Sequence, residues 1–151
     1  MLDGIQEADE MAIVVVEAGR YEDLFSSSNE NHYYCQLVHA RCMGITKFIF
    51  AVNKIEKPDE NNQTYSQETF EKTRDSILKA LKKLRIDTNK VMIIPISGLT
   101  GENLTVPSQN LAWFQGPTLL SALNALPLPK EHPHPESYPL RLSIKSVFQV
   151  G

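Results

Sequence analysis

The chain has 151 residues, about one domain's worth, with 42% hydrophobic and 22% charged residues and a formal charge of −3. That balance excludes a chain that is basic or disordered throughout, and gives no overall electrostatic case for a nucleic-acid or anionic-membrane surface. One basic face can still hide within a near-neutral total, so a ribosomal partner stays open.

The amino-terminal residues Met1–Asp9 carry acids rather than a basic segment leading into an apolar one, so they do not read as a signal peptide. No apolar run approaches the roughly 20 residues that span a bilayer, and the cytoplasm is the expected location. Three short, continuous runs rich in β-branched and aromatic residues follow: Met11–Ala18 (MAIVVVEA), Lys47–Asn53 (KFIFAVN) and Val91–Ile96 (VMIIPI). Such runs predict strands covered on both faces, as in a parallel sheet.

Between the first two runs, Glu30 to Met43 predicts a helix with Tyr34, Leu37, Val38 and Cys42 on its apolar face. The two cysteines, Cys35 and Cys42, fall on this helix and form no C-x-x-C pair. They are expected to be buried free thiols, not a metal or redox site. Between the second and third runs, Gln67 to Ile86 predicts a longer helix with Phe70, Ile77, Leu81 and Leu84 inward. Ser66 is its N-cap, and Lys82, Lys83 and Arg85 lie in the last turns. Strand–helix–strand–helix–strand is two βαβ units in one sheet. A further helix is predicted over Leu119–Leu126, opened by Gly116-Pro117-Thr118 and stopped by Pro127 and Pro129.

Beyond it the composition changes. Pro127–Pro139 holds five of the nine prolines and reads as an extended linker, with His132 and His134 an exposed pair too few to hold a metal. From Leu140 the period becomes two: Leu140, Leu142, Ile144, Phe148 and Val150 alternate with Arg141, Ser143, Lys145, Val147 and Gln149, a half-buried strand. The boundaries drawn are 1–127, 128–139 and 140–151.

In open α/β sheets ligands bind beyond the carboxyl ends of the strands. The second run ends there in Asn53-Lys54-Ile55-Glu56, and the third in Ser97-Gly98-Leu99-Thr100-Gly101-Glu102-Asn103-Leu104. The order N-K-x-acid, helix, then I-P-I-S-G-L-T-G-E-N-L resembles the rear part of the G domain of translational GTPases: elongation factor 1-alpha, the GTPase partner of eukaryotic release factor 1, and the ribosome-rescue GTPase. Met1-Leu2-Asp3-Gly4, Gln6-Glu7-Ala8-Asp9, Trp113-Phe114-Gln115-Gly116-Pro117-Thr118-Leu119-Leu120 and Pro139-Leu140-Arg141-Leu142 extend the resemblance along nearly the whole chain. It implies an α/β, partial P-loop-NTPase-like G domain of three parallel strands with crossover helices, followed by the first strand of a β-barrel domain.

The resemblance also implies a guanine site. The acid, here Glu56, accepts from the base N1–H and 2-amino group. Lys54 lays its stem on the base, and Asn53 ties the loop to the phosphate loop. Ser97 braces the acid, and the N–H of Gly98, followed by Leu99, meets the guanine oxygen. GTP or GDP is the implied ligand, held at its guanine end only.

Two departures stand out. Glu56 replaces Asp and sets its carboxylate one methylene, about 1.5 Å, further out. A bidentate base contact is worth roughly 1–3 kcal/mol of discrimination, so weaker or less selective guanine binding is expected. No G-x-x-x-x-G-K-[ST] and no D-x-x-G occurs in the sequence, so the parts that cradle phosphates and place magnesium in phosphoryl transfer are missing. The chain alone is not expected to hydrolyse GTP, and Mg is expected only in a full-length protein. The segment Asn31–Gln36 also departs from the family's G-Q-T-R-E-H, so nothing assigned to that surface is carried over.

The leading expectation is therefore a segment of a GTP-binding translation factor. The full-length form would hydrolyse GTP while delivering tRNA or a tRNA-like factor to the ribosome. The alternative is a degenerate, non-hydrolysing interaction module of translation or RNA surveillance. An in-frame phosphate loop encoded upstream of Met1 separates the two.

Overall fold

The computed structural model describes residues 11–20, 32–58 and 63–126. The Pro-rich linker, His132, His134 and the alternating strand from Leu140 lie outside them. The described elements run β1 (Met11–Glu17), α1 (His32–Cys42), β2 (Lys47–Asn53), β3 (Glu56–Pro58), β4 (Gln63–Tyr65), α2 (Gln67–Lys83), a 3-10 turn (Thr88–Lys90), β5 (Val91–Pro95) and α3 (Leu119–Asn124).

β1, β2 and β5 form a parallel sheet in the order β1-β2-β5. β2 is central, and Phe48 to Val52 are each at most 2% exposed. The side chains of Phe48, Phe50 and Val52 pack with Leu37 and Ala40 of α1 and Phe70, Ile77, Ala80 and Leu81 of α2. Ile49 and Ala51 point the other way, to Ile94, Ile96 and Ala122 of α3. Strand alternation thus assigns each helix to a face: both crossover helices to one, the last helix to the other.

The caps follow the sequence. The Ser66 hydroxyl accepts the Thr69 N–H at 3.2 Å, and the Thr118 hydroxyl accepts the Ser121 N–H at 3.1 Å. Helix α2 stops three residues before the predicted end because Arg85 turns into the left-handed region (φ 54°). Its N–H then bonds Lys82 O at 3.1 Å, and that of Ile86 bonds Leu81 O at 3.0 Å.

The W-F-x-G segment is architectural. Trp113 and Phe114 stack on Phe70 with ring centres 5.4 and 5.8 Å away, and the Trp113 indole N–H donates to Tyr65 O at 3.2 Å. A Cβ on Gly116 would come within 2.4 Å of the Phe114 ring, so any side chain there would displace the ring from its place on Phe70.

Three expectations need correction. Cys35 and Cys42 are free but exposed, not buried. At 100° per residue both lie well over 100° round the helix from Leu37, and the inward stripe runs Tyr33–Leu37–Ala40 instead. The strands are not all covered twice: Ile13 and Val15, on the face of β1 beyond α3, are 45% and 53% exposed. The antiparallel hairpin β3–β4, pairing Glu56 with Tyr65, was not anticipated.

Two mutations test this packing. Phe50→Ala should lower unfolding free energy by about 3–5 kcal/mol in a urea titration, because the ring is fully enclosed. Val15→Lys should change stability by no more than about 0.5 kcal/mol, and should reduce self-association in sedimentation velocity by charging an apolar edge strand.

Candidate functional site

The parallel register brings the carboxyl ends of β1, β2 and β5 to one rim. Glu17 pairs with Asn53, and Val52 with Pro95. Each strand is then tied to the next one residue further on: the Ala18 N–H donates to Asn53 O, and the Ile96 N–H to Val52 O, both at 2.8 Å. Asn53 and Ser97 therefore start their loops side by side.

The two loops meet in one bond. Asn53 Oδ1 accepts the Gly98 N–H at 2.8 Å. A Cβ on Gly98 would lie 3.4 Å from that oxygen, an ordinary contact distance. The amide that the family resemblance aims at a base carbonyl is here held by Asn53, and a bound base would have to share it.

The second loop is braced from within. Ser97 is fully buried, and its Oγ accepts from the Thr100 N–H at 3.1 Å and from the Thr100 hydroxyl at 2.7 Å. The Gly101 N–H returns to Ser97 O at 2.9 Å, and the Ser97 N–H donates to Glu102 O at 3.1 Å. Gly101 (φ 79°) and Asn103 (φ 57°) supply the left-handed turns. The buried Asn103 side-chain amide donates to Pro95 O at 2.9 Å, and the Asn103 backbone carbonyl accepts the Leu119 N–H at 3.0 Å, so the loop is pinned to both β5 and α3. Leu99, by contrast, is 82% exposed at the loop tip.

In the first loop Lys54 adopts φ 58°, which swings its side chain back toward β1. Its Nζ lies 3.1 Å from Glu17 Oε1, while Glu17 Oε2 is 3.2 Å from Arg20 Nε. These pairs are exposed and contribute little stability; they orient Lys54. Glu56 opens β3. Its Oε2 is buried with no hydrogen-bond partner among the described residues, although the residue as a whole is half-buried. A carboxylate oxygen shut from water without a donor is costly.

Of the residues singled out in the sequence, Asn53, Ser97 and Gly98 form one connected unit, Lys54 and Leu99 flank it in the open, and Glu56 stands at its edge with one carboxylate oxygen unpartnered among the described residues. Among the described residues the Ser97 oxygen accepts from Thr100, and no bond from Ser97 to Glu56 Oε2 is seen. Glu17, Thr100 and Asn103 were not singled out. Glu17 could have been, since an acid at the end of the first strand must reach the same rim.

Fold and loops together make a partial G-domain-like α/β fold that matches translational-GTPase structures. Among curated proteins the chain is similar to elongation factor 1-alpha. It is 38% identical to elongation factor 1-alpha of Desulfurococcus mucosus over 151 residues, all of this chain and 33% of that protein. It is 37% identical to that of Picrophilus torridus over 150 residues, 99% of this chain and 32% of that one. The chain thus spans about a third of the length of the curated relatives it matches. Crystal structures of Sup35 share the fold. The complex with GDP matches at a TM-score of 0.64 and 23% identity over 80% of this chain and 30% of Sup35. The complex with GMPPNP matches at 0.62 and 24% over 78% and 29%. No protein-family model matches the chain. Among the described residues, no helix is long and apolar enough to cross a membrane.

Asn53→Ala should remove the link between the loops. With a net hydrogen bond worth about 1 kcal/mol, hydrogen exchange at the Gly98 amide should quicken roughly five- to tenfold while amides of β2 keep their protection.

Proposed function

We propose that the loops starting at Asn53 and Ser97 form the guanine end of a nucleotide site in an elongation factor 1-alpha-like protein. The whole protein would hydrolyse GTP while delivering tRNA or a tRNA-like factor to the ribosome. The observation that carries this reading is the 2.8 Å bond from the Gly98 amide to Asn53 Oδ1. It holds two loops from different strands as one surface where α/β sheets bind ligands. The Sup35 structures that share the fold contain GDP or GMPPNP, which supports a guanine ligand here. The end-to-end match to elongation factor 1-alpha favours this over a degenerate interaction module.

Glu56 fits such a ligand chemically. Its buried, unbonded oxygen lacks a donor, and the guanine N1–H and 2-amino group are donors. Adenine offers no such pair and would leave the charge unmatched. Lys54 covers the base with its stem while Glu17 holds its ammonium. Phosphates and magnesium would be bound by other parts of the longer protein, where magnesium would neutralise charge on the transferring phosphoryl group. The same layout makes residues 128–139 a linker and 140–151 the opening strand of a second, barrel domain.

Titrating the 151-residue chain with guanosine should shift the amide resonances of Glu56, Gly98 and Leu99 at millimolar nucleoside, with adenosine much weaker. Equal effects of the two, or shifts elsewhere only, would refute the assignment. Glu56→Asp should raise the preference for guanosine by roughly tenfold or more, the equivalent of about 1–3 kcal/mol for a restored bidentate contact.

A further inference from the structure

We infer that the surface built by Lys79, Lys82, Lys83, Arg85 and Lys90 docks an RNA phosphate backbone. The inference rests on the reading above that the whole protein works with tRNA and the ribosome, and it adds a contact surface remote from the nucleotide site. Helix α2 leaves the carboxyl rim at Gln67 and ends at Lys83, and β5 then starts back toward that rim at Val91. The cations therefore lie at the opposite pole of the sheet.

Four observations carry it. First, the charge is segregated. Lys79–Lys90 holds five cations against Asp87 alone, a local net of +4 in a chain of net −3, and Asp87 is the only acid between Ser76 and Gly101. Second, all five cations are exposed, and none is in an ion pair among the described residues, whereas Lys72 and Arg74 earlier on the same helix are paired with Glu68 and Asp75. The 3-10 turn that ends in Lys90 packs against α2, which brings Lys90 near the helix that carries the other cations.

Third, Arg85 occupies the position after the C-cap Leu84 at φ 54°. That position favours glycine, yet the chain places a cation there. The helix dipole accounts for Lys82 and Lys83 in the last turn, but not for a strained Arg85 and a Lys90 beyond the helix end. Fourth, the patch has no apolar anchor. Among the described residues the exposed large hydrophobic ones are Ile13, Val15, Met43, Leu99, Val106 and Leu120, none of them between 79 and 90.

The last point selects the partner. Protein interfaces draw their energy from buried apolar and aromatic anchors, and amphipathic membrane helices need an apolar face. A phosphate backbone asks only for cations, because release of its condensed counterions supplies the affinity.

The test is fluorescence anisotropy of a labelled single-stranded RNA of roughly 20 nucleotides with the 151-residue chain. For about four phosphates neutralised, the affinity should fall about 50-fold between about 50 and about 200 mM salt. Lys82→Gln with Lys83→Gln should reduce the magnitude of the logarithmic salt slope by about 1.4. Arg85→Gly should raise the melting temperature, by relieving the left-handed arginine, and yet weaken RNA binding at least threefold. Opposite movements of stability and affinity are not expected of a purely structural residue. Neither change should alter the guanosine shifts at Gly98, so this surface and the nucleotide site fail or stand separately. RNA affinity unchanged in both variants overturns the proposal. So does tighter binding to polyglutamate or to phosphatidylserine vesicles than to RNA at equal salt.

Discussion

The enclosure of β2 is the constraint from which the rest follows. With Phe48 to Val52 almost wholly removed from water, this strand has neighbours on both edges and helices on both faces. Shifting its register by one residue would exchange Phe50 for Ala51 between two differently shaped cores. That fixes Asn53 as the first residue free of the sheet, directly beside Glu17 on one side and the start of the Ser97 loop on the other. The geometry of the rim is thus decided by hydrophobic packing some distance below it. The polar contacts that complete it, Asn53 to Gly98 and Ser97 to Thr100, are short-range consequences.

Much of this was legible in the sequence because it depends on strong local signals. Continuous β-branched runs mark the three strands to within a residue or two, and Ser66 and Thr118 mark helix starts because a hydroxyl at that position has one evident use. The inward face of α1 was not legible. Its buried stripe includes Ala40, which weighs little in any hydrophobic pattern, while Cys42 and Val38 weigh more and misdirect the reading. The β3–β4 hairpin is too short and polar to show a period. At the site, the N-K-x-E and S-G-L-T-G-E-N segments announced themselves. Which partner the Gly98 amide would take could not be read, since backbone donors look alike in a sequence. Nor could the left-handed turns at Lys54 and Arg85, since neither residue type has a preference for that conformation.

The molecule divides along the strand axis. The carboxyl rim is built of glycines, short hydroxyls and amides whose bonds are largely satisfied within the loops. The amino pole carries unpaired cations on a helix end. Among the described residues one end is pre-shaped and carries charges of both signs, Glu17, Arg20, Lys54, Glu56 and Glu102; the other is cationic and unshaped. Pre-shaped surfaces discriminate by leaving a wrong ligand's polar groups unpaired, whereas charged ones attract without regard to detail. On the two proposals made above, selectivity and generic attachment lie at opposite ends of the same α2, which begins just past the rim and ends at the cationic pole.

Glu56, the acid of the proposed guanine site, is where the sequence departs from the N-K-x-D of the family it resembles. An aspartate there would need the loop alone to place its carboxylate. The longer side chain has one more rotatable bond, and its position is set partly by the hairpin: Glu56 begins β3 and pairs with Tyr65, whose carbonyl in turn holds the Trp113 indole. The acid is therefore tied through the hairpin to the aromatic cluster of Phe70, Trp113 and Phe114. The loop must yield for a longer carboxylate to meet a base, and a strand anchored to a packed aromatic cluster resists that movement. On this argument the cost of the extra methylene falls less on the carboxylate's chemistry, which is unchanged, than on the rigidity of the hairpin that carries it.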